Sequence, residues 1–180
     1  MTLDSIFDDI RVKNTNKYEY SLNEITEIAN KILKEIDYYS GRGATPIVKI
    51  AKDFGFVTYK ETLDTGISGD MHISKDTNNK YRNNKVILVN KNQALFQSRF
   101  TIAYELAHYL LDLIHKKEHH DIEKQATTFA AELMMPKDLF IKQYNIAKDE
   151  SDNHIFIVMY LSRFFEIPIN LIEKRIKAEI

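Results

Sequence analysis

One stretch of the chain sets chemistry-bearing side chains at helical spacing: Arg99-Phe-Thr-Ile-Ala-Tyr104-Glu105-Leu-Ala-His108-Tyr-Leu-Leu111. Tyr104 and His108 are four positions apart, so on a helix they share a face, with Glu105 beside it. With histidine at position 104 the pattern would be H-E-x-x-H. In that arrangement two imidazoles hold a zinc ion, and the carboxylate between them acts as general base on the metal's water. The residue at 104 is tyrosine, so the pattern is one ligand short. A further protein ligand has to come from another segment. Glu123 opens the stretch Glu123-Lys-Gln-Ala-Thr-Thr-Phe-Ala-Ala-Glu-Leu-Met-Met-Pro136. Its small residues Ala126, Ala130 and Ala131 allow close helix approach, and a carboxylate there would complete a His/His/Glu set.

These side chains need a scaffold, and the 180 residues suffice for one domain at about 150 residues each. Hydrophobic residues make up 44% and charged residues 28%, which excludes a disordered or collagen-like chain. Lys plus Arg total 25 against 26 for Asp plus Glu. A net charge of -1 gives no overall field to draw in nucleic acid or an anionic membrane, so neither is expected as a partner. The absence of cysteine excludes disulfides, thiolate metal sites and cysteine nucleophiles, and it fits a cytoplasmic location. No apolar run approaches the roughly 18 residues of a membrane span. The opening MTLDSIFDDI has neither the basic nor the apolar region of a signal peptide.

Residues 1–20 read as a lead-in, 21–140 as the main domain and 141–180 as a helical extension packed on it. Ser21-Leu-Asn-Glu24 is a capping box, followed by apolar residues at Ile25, Ile28, Ala29, Ile32, Leu33 and Ile36 in helical register. Thr45-Pro46 reads as N-cap and first residue of a short helix to Asp53, stopped by Gly55. Strands follow at Phe56 to Tyr59, Ile67 to Ile73 and Val86 to Val89, with a polar loop from Asp76 to Asn84. Because no helix separates them, a small, mostly antiparallel three-stranded sheet is expected. From Gln93 the pattern is helical: 93–115, 121–135, a short helix led by Pro136, 153–165, and a last one after Pro168. The fold class is therefore α+β, a small sheet packed on a helical bundle.

Each candidate also has a plainer reading. His108 alone would be a satisfied core histidine. Glu105 sits among Ile102, Ala103, Leu106 and Ala107, where an unpartnered carboxylate is costly, and this favours a site. Glu123 stands at a helix start, where the dipole favours a carboxylate anyway. Tyr104 on its own reads as a half-buried aromatic with a bonded hydroxyl. His119-His120 reads as a solvated turn and Lys174-Arg175-Ile-Lys177 as a solvated face. The stripe Ile155, Ile157, Val158, Leu161, Phe164 and Phe165 reads as core.

Arg99-Phe-Thr-Ile-Ala-x-Glu105-Leu-x-His108-Tyr-Leu-Leu together with Glu123-x-x-Ala126-x-x-Phe129-Ala-Ala-Glu-Leu-Met-Met-Pro136 resembles the ImmA/IrrE family of zinc metallo-endopeptidases. The run-up Val86-Ile-Leu-Val-Asn90 fits as well, and the resemblance covers roughly residues 21–140. It implies a zincin-like fold, a zinc cofactor, and a helix-turn-helix transcriptional repressor as the protein partner, in mobile-element or stress regulation. It assigns Glu105 as general base and His108 and Glu123 as zinc ligands. A histidine belongs at the position of Tyr104. Three readings of that departure stand open. Tyr104 coordinates as a phenolate, with its pKa pulled far below about 10. Or His72, His115, His119 or His120 substitutes. Or the metal is lost or weakly held, and a non-catalytic pseudopeptidase binds the repressor. A substrate strand is expected to add to an exposed edge at Lys85 to Asn90, with Thr77 to Asn84 and the C-terminal helices giving specificity.

Overall fold

A computed structural model describes residues 20–40, 43–73, 81, 85–111 and 122–180. The lead-in before Tyr20, most of the loop 76–84, and His115, His119 and His120 lie outside the described residues. Helix α1 spans Leu22–Glu35, and its capping box is formed: the Ser21 amide donates to Glu24 Oε2 at 2.9 Å, and the Glu24 amide donates back to Ser21 Oγ. Its apolar stripe, Ile25 to Leu33, is buried against helix α4, Ile122–Met134. The Tyr20 amide donates to Gln125 Oε1 at 2.9 Å and ties the start of α1 to the same helix.

Helix α2 spans Ile47–Asp53. Pro46 is its N-cap rather than its first residue, and no side chain caps it. The Thr45 hydroxyl donates instead to the Leu133 carbonyl at 2.9 Å, because burial at that position puts an α4 carbonyl within reach. Gly55 has φ of 84°, the left-handed conformation that lets the chain turn from α2 into the sheet.

The sheet has strands β1 Phe56–Glu61, β2 Gly69–Ile73 and β3 Lys85–Asn90, in the order β1-β3-β2. It is mixed rather than mostly antiparallel: β2 pairs antiparallel with β3, but β1 pairs parallel with it, Val57 opposite Val86 and Tyr59 opposite Leu88. The chain leaves β1, reverses into β2 at a distance, and β3 then fills the space between them. That makes β3 the central strand, flanked on both sides. It has no free edge for a partner strand, contrary to the expectation at Lys85 to Asn90; among the described residues the edges are β1 and β2. Ile87 and Val89 join the core, and β3 is its most buried strand.

Helix α3, Leu95–Leu110, packs on β2 and β3 from one side and on α4 from another. Ser98, Phe100, Thr101, Ile102, Ala103, Glu105, Leu106, Ala107 and Leu110 are all buried, so apolar and small residues surround the helix on most sides. Helices α5 Lys137–Glu150, α6 His154–Phe165 and α7 Ile169–Glu179 follow. Asn153 caps α6, its Oδ1 accepting from the Ile155 amide at 2.9 Å. Ile157, Val158, Leu161, Phe165, Ile167 and Ile172 belong to the same buried cluster as α1 and α3, whereas Ile155 is exposed. The α6 stripe is thus core on one side only. Arg99 ties α3 to its neighbours: it donates to the Thr45 carbonyl at 2.5 Å and pairs with Glu166 at 3.1 Å, a residue at φ 53° in the α6–α7 turn.

The basic cluster on α7 is not uniformly solvated. Lys174 and Lys177 are exposed, but Arg175 is buried and bonds Glu132 Oε1 of α4 at 2.6 Å. It also lies 3.2 Å from Glu179 and donates to the Met135 carbonyl. Arg175 turns inward because it stands three positions after Ile172, on the inward face of the helix. The architecture is α+β, a three-stranded mixed sheet with seven α-helices among the described residues.

Candidate functional site

Glu105 leaves α3 toward the start of β2 and is 9% exposed. It lines an open cleft of about 490 Å³ together with Gln97, Thr101 and Tyr104 of α3. The segment Gly66 to Gly69 forms one wall, and Thr127 of α4 and Leu171 of α7 close the others. Gly69 explains how β2 and α3 come so close. A Cβ there would lie 2.4 Å from Thr101 Cγ2 and 2.9 Å from Glu105 Oε1. No side chain fits between strand and helix at that crossing, so only glycine allows Glu105 its position.

Burial raises the Glu105 carboxyl to about 7, and the negative charge of Asp70 adds to the rise. Near neutrality this group exists as an even mixture of acid and carboxylate, a state suited to passing or sharing a proton. The same rise destabilises the fold at high pH. A carboxyl whose native value lies above its unfolded value holds its proton better when folded. The contribution of this one group to stability is therefore fully present near pH 4, falls as pH rises toward 7, and is lost above it. The full penalty is on the order of 3 kcal/mol. Glu105→Gln is expected to melt higher than the parent at pH 8 and about the same at pH 4. Equal melting temperatures at both pH values would contradict this account of the carboxyl.

Tyr104 and His108 share one face of α3, as their spacing requires. Their rings pack edge to face, with centroids 4.8 Å apart and planes at 80°. Burial lowers the His108 pKa, which keeps its imidazole neutral. Glu123, in the first turn of α4, is exposed and does not line the cleft. His72 lies on β2 with its Nδ1 3.5 Å from Asp70 and its ring beside Tyr81. Among the described residues, no group of three or more His, Asp or Glu is gathered where a metal ion would sit. A catalytic zinc takes three protein ligands and an open position. The described donors do not meet that requirement: His108 is the only histidine on the α3 face, and an aromatic ring fills the place beside it.

The sequence placed Tyr104, Glu105 and His108 together, and the structure brings those three to one stretch of α3. The cleft's other walls were not foreseen. An isolated glycine within a strand signals close backbone approach, and Gly69 carries that signal. Gln97, Thr127 and Leu171 carry none, because their convergence depends on tertiary packing.

No single helix among the described residues is long and apolar enough to cross a membrane. A comparison with curated proteins gives no match. The family model described as IrrE N-terminal-like domain, peptidase M78, matches residues 51–177. The match begins within α2, spans the sheet and α3 to α6, and ends within α7, so it takes in the whole Glu105 cleft and most of the helical tail beyond residue 140. With most of its length covered, the chain belongs to the IrrE N-terminal-like family of metallopeptidases.

Proposed function

We propose that this protein binds a helix-turn-helix transcriptional repressor in the cytoplasm and regulates it through the Glu105 cleft without zinc-dependent cleavage. Members of the family are typically zinc-dependent and typically act on repressor proteins, which supports the choice of partner. The observation that carries the non-catalytic reading is the Tyr104 ring packed on His108, at the position where a metal ligand is required. A phenol at that point is a poor ligand until its proton leaves, and it occupies the space beside the imidazole.

The cleft offers a polypeptide more than one kind of contact. Gly66 to Gly69 lead into the edge strand β2, which can pair with an extended segment through main-chain hydrogen bonds. Glu105 in its acid form donates a hydrogen bond to a carbonyl laid across it, and Tyr104, Thr101 and Gln97 line the same space. In this reading Glu105 is a binding group that recognises backbone rather than a base.

The test uses the purified helix-turn-helix repressors of the protein's own genome, each mixed with the full chain. A stable complex with at least one of them is expected on gel filtration. Its repressor should stay intact with added zinc and with a chelator alike. Zinc-dependent, chelator-sensitive cleavage would overturn the non-catalytic reading. Failure of every repressor to bind would overturn the partner.

A further inference from the structure

Helix α6 buries one side and leaves the other bare. Ile155 is 68% exposed, and Phe156 and Met159 are each 43% exposed. Two apolar hollows flank this bare side. One, of about 500 Å³, lies between Met159 and Arg163 on α6 and Leu95, Pro168 and Ile169 from the neighbouring helices. The other, of about 410 Å³, is lined by Phe156, Met159, Tyr160, Arg163 and Phe164. Met159 and Arg163 border both and form a ridge between them.

Arg163 is the one Lys, Arg, Asp or Glu within α6, and at the start of the helix His154 lies 3.9 Å from Glu173 of α7. The α6 sequence His154-Ile-Phe-Ile-Val-Met-Tyr-Leu-Ser-Arg-Phe-Phe165 contains no aspartate or glutamate. Arg163 is exposed and makes no ion pair among the described residues. An apolar surface with a single arginine at its centre fits an apolar ligand carrying a carboxylate. The surface also continues into the candidate site. Gln97 lines both the larger hollow and the Glu105 cleft, and α7 supplies Ile169 to one and Leu171 to the other.

We infer that the outer side of α6 docks an acidic amphipathic helix of the protein partner. Two hollows on either side of a ridge receive apolar side chains one helical turn apart, and a carboxylate between them meets Arg163. A helix seated there places the adjoining segment of the same partner at the mouth of the Glu105 cleft. Identifying that partner as the repressor rests on the proposed function; the chemistry of the surface does not.

The test uses the full chain with methyl-labelled methionine and two synthetic leucine-faced helical peptides of about five turns. One carries glutamate on its polar side and the other lysine. The acidic peptide is expected to shift the Met159 methyl signal and to bind at least about tenfold more tightly than the basic one. Arg163→Gln should erase that preference, and Met159→Glu should abolish binding while leaving the melting temperature unchanged. Equal affinity for the two peptides would overturn the inference, as would an unmoved Met159 signal. So would self-association of the chain through this side, or binding to anionic phosphatidylglycerol vesicles with no binding of the acidic peptide. If a repressor complex forms and Met159→Glu leaves its affinity intact, this inference fails and the proposed function stands. If no repressor binds but the peptide selectivity is as expected, the proposed function fails and the docking surface stands.

Discussion

Glu132→Ala is expected to destabilise the protein by about 3–5 kcal/mol, since it leaves the Arg175 guanidinium buried without its main counter-charge. The lost contact is a 2.6 Å bond between two side chains that are 4% and 9% exposed. Glu179 at 3.2 Å compensates only in part, because it also pairs with Lys137 at 2.8 Å. For a chain of this size each kcal/mol shifts the melting temperature by about 2–4 °C, so a drop of roughly 10 °C is expected. The pair joins α7 to α4, and through Leu171 that junction shapes one wall of the Glu105 cleft. Replacing both partners, Glu132→Leu with Arg175→Met, should return stability to within about 1–2 kcal/mol of the parent, because no charge is then left buried alone. Thermal melts of the three proteins decide the matter. A single variant as stable as the parent would show that Arg175 finds water or Glu179 without cost.

Much of this arrangement is legible in the residues. The capping box at Ser21 and the α3 face of Tyr104 and His108 depend on contacts within a few positions, and local spacing reports them. The order of the strands does not. A period of two tells which residues share a side of a strand but not which strand lies beside it, so the parallel pairing of β1 with β3 left no mark in the pattern. Glu123 was ambiguous for a physical reason: a carboxylate in a first helical turn is favoured by the dipole whether or not it meets anything else, and in the structure it faces solvent. Arg175 was hidden by its basic neighbours, although its spacing from Ile172 places it on the inward side of α7. Lys85 to Asn90 read as an edge because three short strands in succession suggest a meander. The central strand of a mixed sheet has the same composition.

Loss of the metal site turns on one residue. A Tyr104→His variant restores the paired imidazoles of H-E-x-x-H on α3 and is expected to bind zinc more than about 100-fold more tightly than the parent, since even losses in the shell outside the ligands cost about 10–100-fold. The gain reflects two changes at once. The ring that packs on His108 is removed, and a neutral nitrogen donor takes its place at helical spacing. The resemblance assigns Glu123 on α4 to complete the set although it faces solvent here, and Glu123→Gln in the variant background tests that role: reversal of most of the gain supports it, and an unchanged affinity refutes it.

Zinc per chain, measured by elemental analysis after dialysis of the parent and Tyr104→His side by side, tests the central claim most directly. The parent is expected to hold well under about 0.1 zinc per chain and the variant about one. A parent that retains about one zinc per chain would contradict that claim, because the metal site would then have been rebuilt around Tyr104 or another histidine.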